Sequence, residues 1–359
     1  MLSTKILDNI KKIRALDKSG MLESLNGFPR QCLDALDLAK RINLKVNLKG
    51  INKIIFAGLG GSAIGADLVK SFLIKEASLP IIVIRDYWLP EYIDKNSLVF
   101  VNSYSGNTEE TLSTYCQARK KKAKVIVICS GGKLLGMAKH DRIPYVVIPS
   151  GFLPRAALAY SSIVPLVILS KAGLVKDKTS QIKEMAKAME RLRNNSLNIK
   201  ISQDKNIAKI IANKLFGKFV IIYGAAGIVE AVVTRFRGQL AENSKILSFS
   251  HLFPEMNHNE IVGWQNPRPL FKNLAVVFLR DKDDHKRTKI RMDITREIIK
   301  KEGADVIQIH CKVHSLISKI FYLVYICDFI SFYLAILNGV DPTPVDKVTY
   351  LKRQLAKFK

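Results

Sequence analysis

Short runs of unbroken apolar residues, each followed by a stretch with helical spacing, limit most strongly what this chain can fold into. Strand signals fall at residues 53–58 (KIIFAG), 81–84, 98–103, 125–129 and 145–148, with helices expected over 62–74 and 108–120. Strands that are apolar on both faces and separated by helices form a parallel sheet covered on both sides. After Pro154 the period changes to 3.6, predicting helices over 154–172 and 180–194, the second rich in Lys and Arg. A second alternating set follows: strands at 219–223, 246–249, 274–279 and 306–310, with helices at about 226–242 and 286–300. An apolar helix over 320–340 and a basic helix from about Pro344 close the chain. The expected architecture is therefore α/β, two doubly wound units with parallel sheets flanked by helices, divided as residues 1–175 and 176–359. With 359 residues, 48% of them apolar, there is material for two such cores. No internal repeat and no Ser/Gly- or Pro-rich linker interrupts the sequence.

Lys and Arg outnumber Asp and Glu by 57 to 31, a net charge of +26, so the chain should attract anions: sugar phosphates, nucleic acid or anionic lipid. The basic runs 119–124 and 280–301 contain no aromatic residue on which a base could stack, and they read as solvated faces. No helix-turn-helix precedes the first unit, so no nucleic-acid partner is expected. Residues 320–340 meet the length criterion for a membrane span, yet Asp328, Ser331 and Asn338 interrupt them, and a buried core helix is the expectation. Residues 1–19 alternate charge with Leu and Ile and lack a signal-peptide core, which points to a cytoplasmic protein. Cys32, Cys116, Cys129, Cys311 and Cys327 have no metal-ligand spacing, and no zinc site is readable.

Two motifs carry the chemistry. Gly58-Leu59-Gly60-Gly61-Ser62-Ala63-Ile64-Gly65 follows the first strand and opens a helix, where unpaired N–H groups and close backbone approach suit an anion. Gly58, Gly60 and Ala63 also satisfy the permissive GxGxxA dinucleotide pattern, with Asp86 near the expected ribose position. Ser103-Tyr104-Ser105-Gly106-Asn107-Thr108 follows the third strand, and its hydroxyls exceed what a helix cap needs, although Thr108 or Asn107 is a candidate cap. Both loops fall at carboxyl ends of strands, where doubly wound sheets bind ligands, and together they suggest a cradle for a phosphate dianion.

GLGGSAIGADL, SYSGNTEETL, SGFLPRAAL, LAENSK, PEMNHNEIVGW and DPTPVDKVTYLKRQL run in order from about Gly58 to Leu355. Together they resemble the bifunctional phosphoglucose/phosphomannose isomerases, which are built from two sugar isomerase (SIS) domains. PEMNHNEIVGW is the most specific of these segments, and the resemblance outweighs the dinucleotide reading, which covers only the first. It implies a cofactor- and metal-free aldose–ketose isomerisation through a cis-enediolate. It assigns Ser103, Ser105 and Thr108 to the substrate phosphate, with Gly60 and Ser62 lining the same site. Glu242 would shuttle the proton between C1 and C2, His258 would assist ring opening, and Arg155 would hold the enediolate charge. A lysine of the closing helix, Lys352 by its LKxxL setting with Lys347 as the other candidate, would assist ring opening. Family members are homodimers in which such a histidine reaches the neighbouring subunit's site.

The residue chemistry agrees with these roles. Glu242 stands at the carboxyl end of a predicted helix, where the dipole opposes a carboxylate, so helix stability does not account for it. Glu255 and Glu260 are its competitors. His258 lies in a polar turn between two asparagines, and an imidazole titrating near neutrality suits proton transfer to a ring oxygen. Arg155 follows Pro154 at a helix start, where a cation is disfavoured unless an anion is near. Two rivals stand beside this reading: an SIS enzyme for an amino-sugar or heptose phosphate, and a non-enzymatic sugar-phosphate sensor that binds nucleic acid.

Overall fold

The computed structural model describes residues 6–42 and 47–358. Residues 1–5, part of the amino-terminal helical pattern, lie outside the described residues. The chain divides into two compact units, Gly27–Ala188 with His314–Ile320, and Met1–Asn26 with Met189–Val313 and Phe321–Lys359. The expected division at 175/176 is thus replaced by one in which the amino-terminal segment groups with the carboxyl-terminal half. Hydrogen bonds within that unit give the reason: Tyr325 Oη donates to Leu25 O (2.7 Å), Ser19 Oγ to Asp341 Oδ2 (2.8 Å) and buried Lys209 Nζ to Asp8 Oδ1 (3.1 Å).

The unit built on Gly27–Ala188 holds strands β1 (Lys53–Ala57), β2 (Ile81–Ile84), β3 (Ser97–Asn102), β4 (Lys124–Cys129) and β5 (Tyr145–Val147), all parallel in the order β2-β1-β3-β4-β5. Ile55, Ala57, Val99, Val101, Val125, Val127 and Cys129 make one buried face, packed with Tyr115 and Ala118 of the helix Glu109–Lys120 and Leu134 and Ala138 of the helix Gly132–His140. The alternate residues are buried too, with Phe56 and Phe100 stacked 4.9 Å apart, which is why the strands read as continuous apolar runs. Helix Gly61–Leu73 leads from β1 to β2 on one side of β1, whereas β3 lies on the other. The strand order therefore reverses between β1 and β3, the switch point at which such sheets bind ligands beyond their carboxyl ends.

The other unit has β6 (Phe219–Ala225), β7 (Ser248–Phe253), β8 (Leu274–Arg280) and β9 (Asp305–His310), parallel in the order β7-β6-β8-β9. The apolar helix is Leu316–Leu337, fully buried along its apolar window. The three polar residues that mark it in the sequence bind the helix Glu230–Glu242 and the turn after it. Asp328 takes a two-pronged ion pair from Arg235 (3.0 and 2.7 Å) and a bond from Gln239 (3.1 Å). Ser331 Oγ accepts from Asn243 Nδ2 (3.0 Å), its carbonyl accepts from Ser244 Oγ (2.7 Å), and Asn338 Nδ2 donates to Ser244 O (2.8 Å).

Some expected boundaries move. The strand placed at 246–249 is Ser248–Phe253, and the helix placed at 226–242 begins at Glu230. Helices Met21–Arg41, Gly132–His140 and Ile207–Leu215 add to those expected.

Candidate functional site

At the carboxyl end of β1 the chain turns through Gly58–Gly60 into the helix Gly61–Leu73, whose first N–H groups receive no side-chain cap. A methyl group at Gly61 would sit 2.4 Å from Pro154 O and 2.6 Å from its carbonyl carbon. Only glycine therefore lets this helix start lie against the Pro154–Ala156 turn. That turn carries Arg155, which is 4% exposed and whose backbone N lies 3.0 Å from where the Gly61 methyl would sit.

At the adjacent strand end, β3 leads through Ser103–Asn107 into the helix Glu109–Lys120. Thr108 occupies the N-cap position but makes no capping bond. Asn107, the other candidate cap, instead accepts from Lys133 N (3.0 Å). The loop is held by its own hydroxyls and by a backbone approach. Ser103 Oγ accepts from Gly106 N (3.1 Å) and bonds Thr108 Oγ1 (3.0 Å), while Ser105 Oγ accepts from Asn107 N (3.3 Å). Gly106, at φ +67°, lies so near Gly131 that a methyl group would come within 1.8 Å of its carbonyl oxygen. Ser62 Oγ accepts from Tyr104 N (3.2 Å) and so ties the two loops together.

This arrangement is rich in donors. Ser62 and Ser105 each accept a backbone N–H and retain a hydroxyl proton to give, and the Ser103–Thr108 pair shares one proton and keeps another. With two uncapped helix starts at neighbouring strand ends, hydroxyl donors and backbone N–H groups gather at the switch point, the chemistry a phosphate dianion requires. Asp86, the ribose candidate of the dinucleotide reading, accepts from Tyr87 N (2.6 Å) in its own loop.

In the other unit, Glu242 is the last residue of its helix and half-buried, and its carbonyl accepts from Lys245 Nζ. The residues after it, Asn243 and Ser244, are fully buried and bound to Ser331 and Asn338 as described, so the Glu242 backbone is fixed from behind. His258 is exposed at the end of the short turn Glu255–His258. Of the competing carboxylates, Glu255 accepts from Asn259 Nδ2 (3.3 Å), and Glu260 accepts from the buried Tyr223 hydroxyl. Burial, and then the Glu260 charge, push that phenol far above its ordinary pKa. Lys352 and Lys347 are both exposed on the helix Asp346–Leu355, which has no buried residue. Among the described residues, no group of three or more His, Cys, Asp or Glu could hold a metal ion.

The site geometry can be set beside known proteins. Residues 47–134 match the SIS domain model, and residues 204–355 match the model of the bacterial phospho-glucose isomerase C-terminal SIS domain. The bifunctional phosphoglucose/phosphomannose isomerase of Caldicellulosiruptor bescii is 43% identical over 339 residues, covering 94% of this chain and 100% of that protein. The chain belongs to the bifunctional phosphoglucose/phosphomannose isomerase family. A relative of the same description from Aquifex aeolicus is 35% identical over 85% of this chain and 90% of its own length. Among solved structures, a hypothetical protein from Thermus thermophilus superposes with a TM-score of 0.74 at 15% identity, covering 97% of this chain and 93% of that one, which is a likeness of fold. Membership of an isomerase family built on SIS domains sets aside the dinucleotide alternative for residues 58–65.

Sequence reasoning missed Tyr223 and His251, which flank Glu260. Tyr223 and His251 sit in strands, where an aromatic residue reads as core, and nothing in their spacing announces a shared partner.

Proposed function

We propose that the protein interconverts glucose 6-phosphate, and also mannose 6-phosphate, with fructose 6-phosphate through a cis-enediolate. The observation that carries this reading is the pair of uncapped helix starts at β1 and β3, where the hydroxyls of Ser62, Ser103, Ser105 and Thr108 collect. Gly60 and these side chains hold the phosphate, and fixing a dianionic handle orients the rest of a hexose for reaction. Glu242 carries the proton between C1 and C2, Arg155 offsets the charge of the enediolate oxygens, and His258 and Lys352 act on the ring oxygen and O1. The backbone bonds that pin residues 243–244 support the first assignment, and the burial of Arg155 beside the glycine turn supports the second. One carboxylate that removes the C2 proton and returns it at C1 keeps atoms in balance without an added reactant.

The working form in this reading is a soluble, cytoplasmic homodimer in which His258 of each copy serves the other copy's site, with neither nucleic acid nor membrane as a partner. The complete burial of the apolar window of Leu316–Leu337 supports a helix that does not span a bilayer. Coupled assays with each aldose phosphate test the activity. Wild-type protein should turn over both, and Glu242→Gln should lose about 10²–10⁴-fold in kcat, the usual share of a general acid–base group. Wild-type turnover should persist in a chelator. No turnover of either substrate would overturn the reading, and full activity of Glu242→Gln would overturn the assignment.

A further inference from the structure

The turn that carries His258 is pinned on both sides. On its amino-terminal side Asn257 Nδ2 donates to Thr295 Oγ1 of the helix Lys286–Lys301 (2.9 Å). On the other side, Asn259 Oδ1 accepts from Glu260 N (2.6 Å), and the Glu260 carboxylate accepts from the Tyr223 hydroxyl. The Trp264 indole also acts on that phenol, drawing its pKa down against the effect of burial. Tyr223 is fully buried, its ring set edge-on to Phe253 (5.9 Å) and Phe278 (5.6 Å), and it has no freedom to follow the loop. The second oxygen of Glu260 lies 3.8 Å from His251 Nδ1 on β7.

From this we infer that Glu260 and Tyr223 are positioning residues that hold His258 where it meets the sugar ring. The inference rests on the reading of His258 as a ring-opening group. The clamp is a hydrogen bond from a rigid donor to a carboxylate two residues from the imidazole. Its loss frees the turn on one side while Asn257 still holds the other. Because the phosphate-binding hydroxyls belong to a different part of the chain, the clamp governs kcat and leaves KM alone.

The test is a double-mutant cycle read by steady-state kinetics, with thermal melting to confirm folding. Tyr223→Phe keeps the buried ring and removes the donor, Glu260→Ala removes the acceptor, and Glu260→Gln keeps an oxygen for the phenol. Tyr223→Phe and Glu260→Ala should each lower kcat about tenfold, within what slight misplacement of a reacting group costs, with KM changed less than about twofold. Glu260→Gln should retain activity to within about threefold. In a His258→Asn background, neither Tyr223→Phe nor Glu260→Ala should lower kcat further, because residues that act through one group are not additive. Losses that multiply in that background, or unchanged kcat in both single variants, would overturn the clamp while leaving His258 in its role. An unchanged kcat for His258→Asn alone would instead overturn the ring-opening assignment and the clamp with it.

Discussion

The buried pair of Arg235 and Asp328 offers the sharpest test of how the Glu242 helix is held. Both side chains are 5% exposed, two guanidinium nitrogens meet the two carboxylate oxygens, and Gln239 adds a third donor. Asp328→Leu leaves a buried cation and a buried amide facing a hydrocarbon side chain. Breaking such a pair from one side costs about 3–5 kcal/mol, whereas replacing both partners with apolar residues is close to neutral. Trp88 and Trp264 fall in different units, so a Trp88→Phe background makes Trp264 fluorescence report on the unit that contains the pair. With a urea slope of about 2 kcal/mol/M, Asp328→Leu should lower the midpoint of that transition by about 1.5–2.5 M. Arg235→Met combined with Asp328→Leu should restore it to within about 0.5 M of the parent, since about 1 kcal/mol is what remains once neither charge is buried. A single-variant cost below about 1 kcal/mol, or a double variant as unstable as the sum of its parts, would refute the claim that the pair is buried and mutually satisfied.

Two further outcomes are expected. Gly61→Ala places a methyl group against the Pro154 carbonyl and must displace the turn bearing Arg155. It should lower kcat/KM by at least about tenfold, since a shift of about an ångström at a reacting group has this effect, and it should lower the melting temperature too, since overpacking against backbone costs about 1–3 kcal/mol; wild-type kinetics would show that the turn has no part in catalysis. Tyr115, Tyr223 and Tyr333 all have phenol pKa values raised by burial, with the Asp141 bond adding to the first and Glu260 to the second. The folded state holds these protons after the unfolded chain has released them, so the stabilisation is complete below pH 10 and declines as pH rises above it. Denaturation followed from pH 8 to 12 should show that decline, and a midpoint constant across the range would contradict it.

Much of the fold was legible because parallel strands buried on both faces leave continuous apolar runs, and β1 to β4 appear within a residue of where those runs lie. The helix Gly132–His140 was not, because two glycines at its start and Gly136 within it mimic a loop. The grouping of residues 6–26 with the later half was hidden as well, since it depends on long-range bonds such as Tyr325 to Leu25 that leave no local pattern. The two phosphate-type loops could be found from hydroxyl and glycine content alone. The uncapped state of Thr108 could not, because whether a threonine caps its helix or turns to Ser103 is decided by the loop's own packing. Glu242 drew attention by standing against the helix dipole, and Asn243, Ser244, Ser331 and Asn338 supply the fixed support behind it.

The helix Leu316–Leu337 is buried along its apolar window, and even Asp328 and Ser331 on it face other helices, not water. A core assembled around such a rod cannot close until the rod itself has been synthesised. The unit that includes residues 321–337 also draws on residues 6–26, so Leu25 must wait for a partner, Tyr325, that is made 300 residues after it. Nascent chains stalled before residue 316 should therefore leave Arg235, Gln239 and the Leu25 carbonyl without their partners on this helix and be the species most inclined to aggregate.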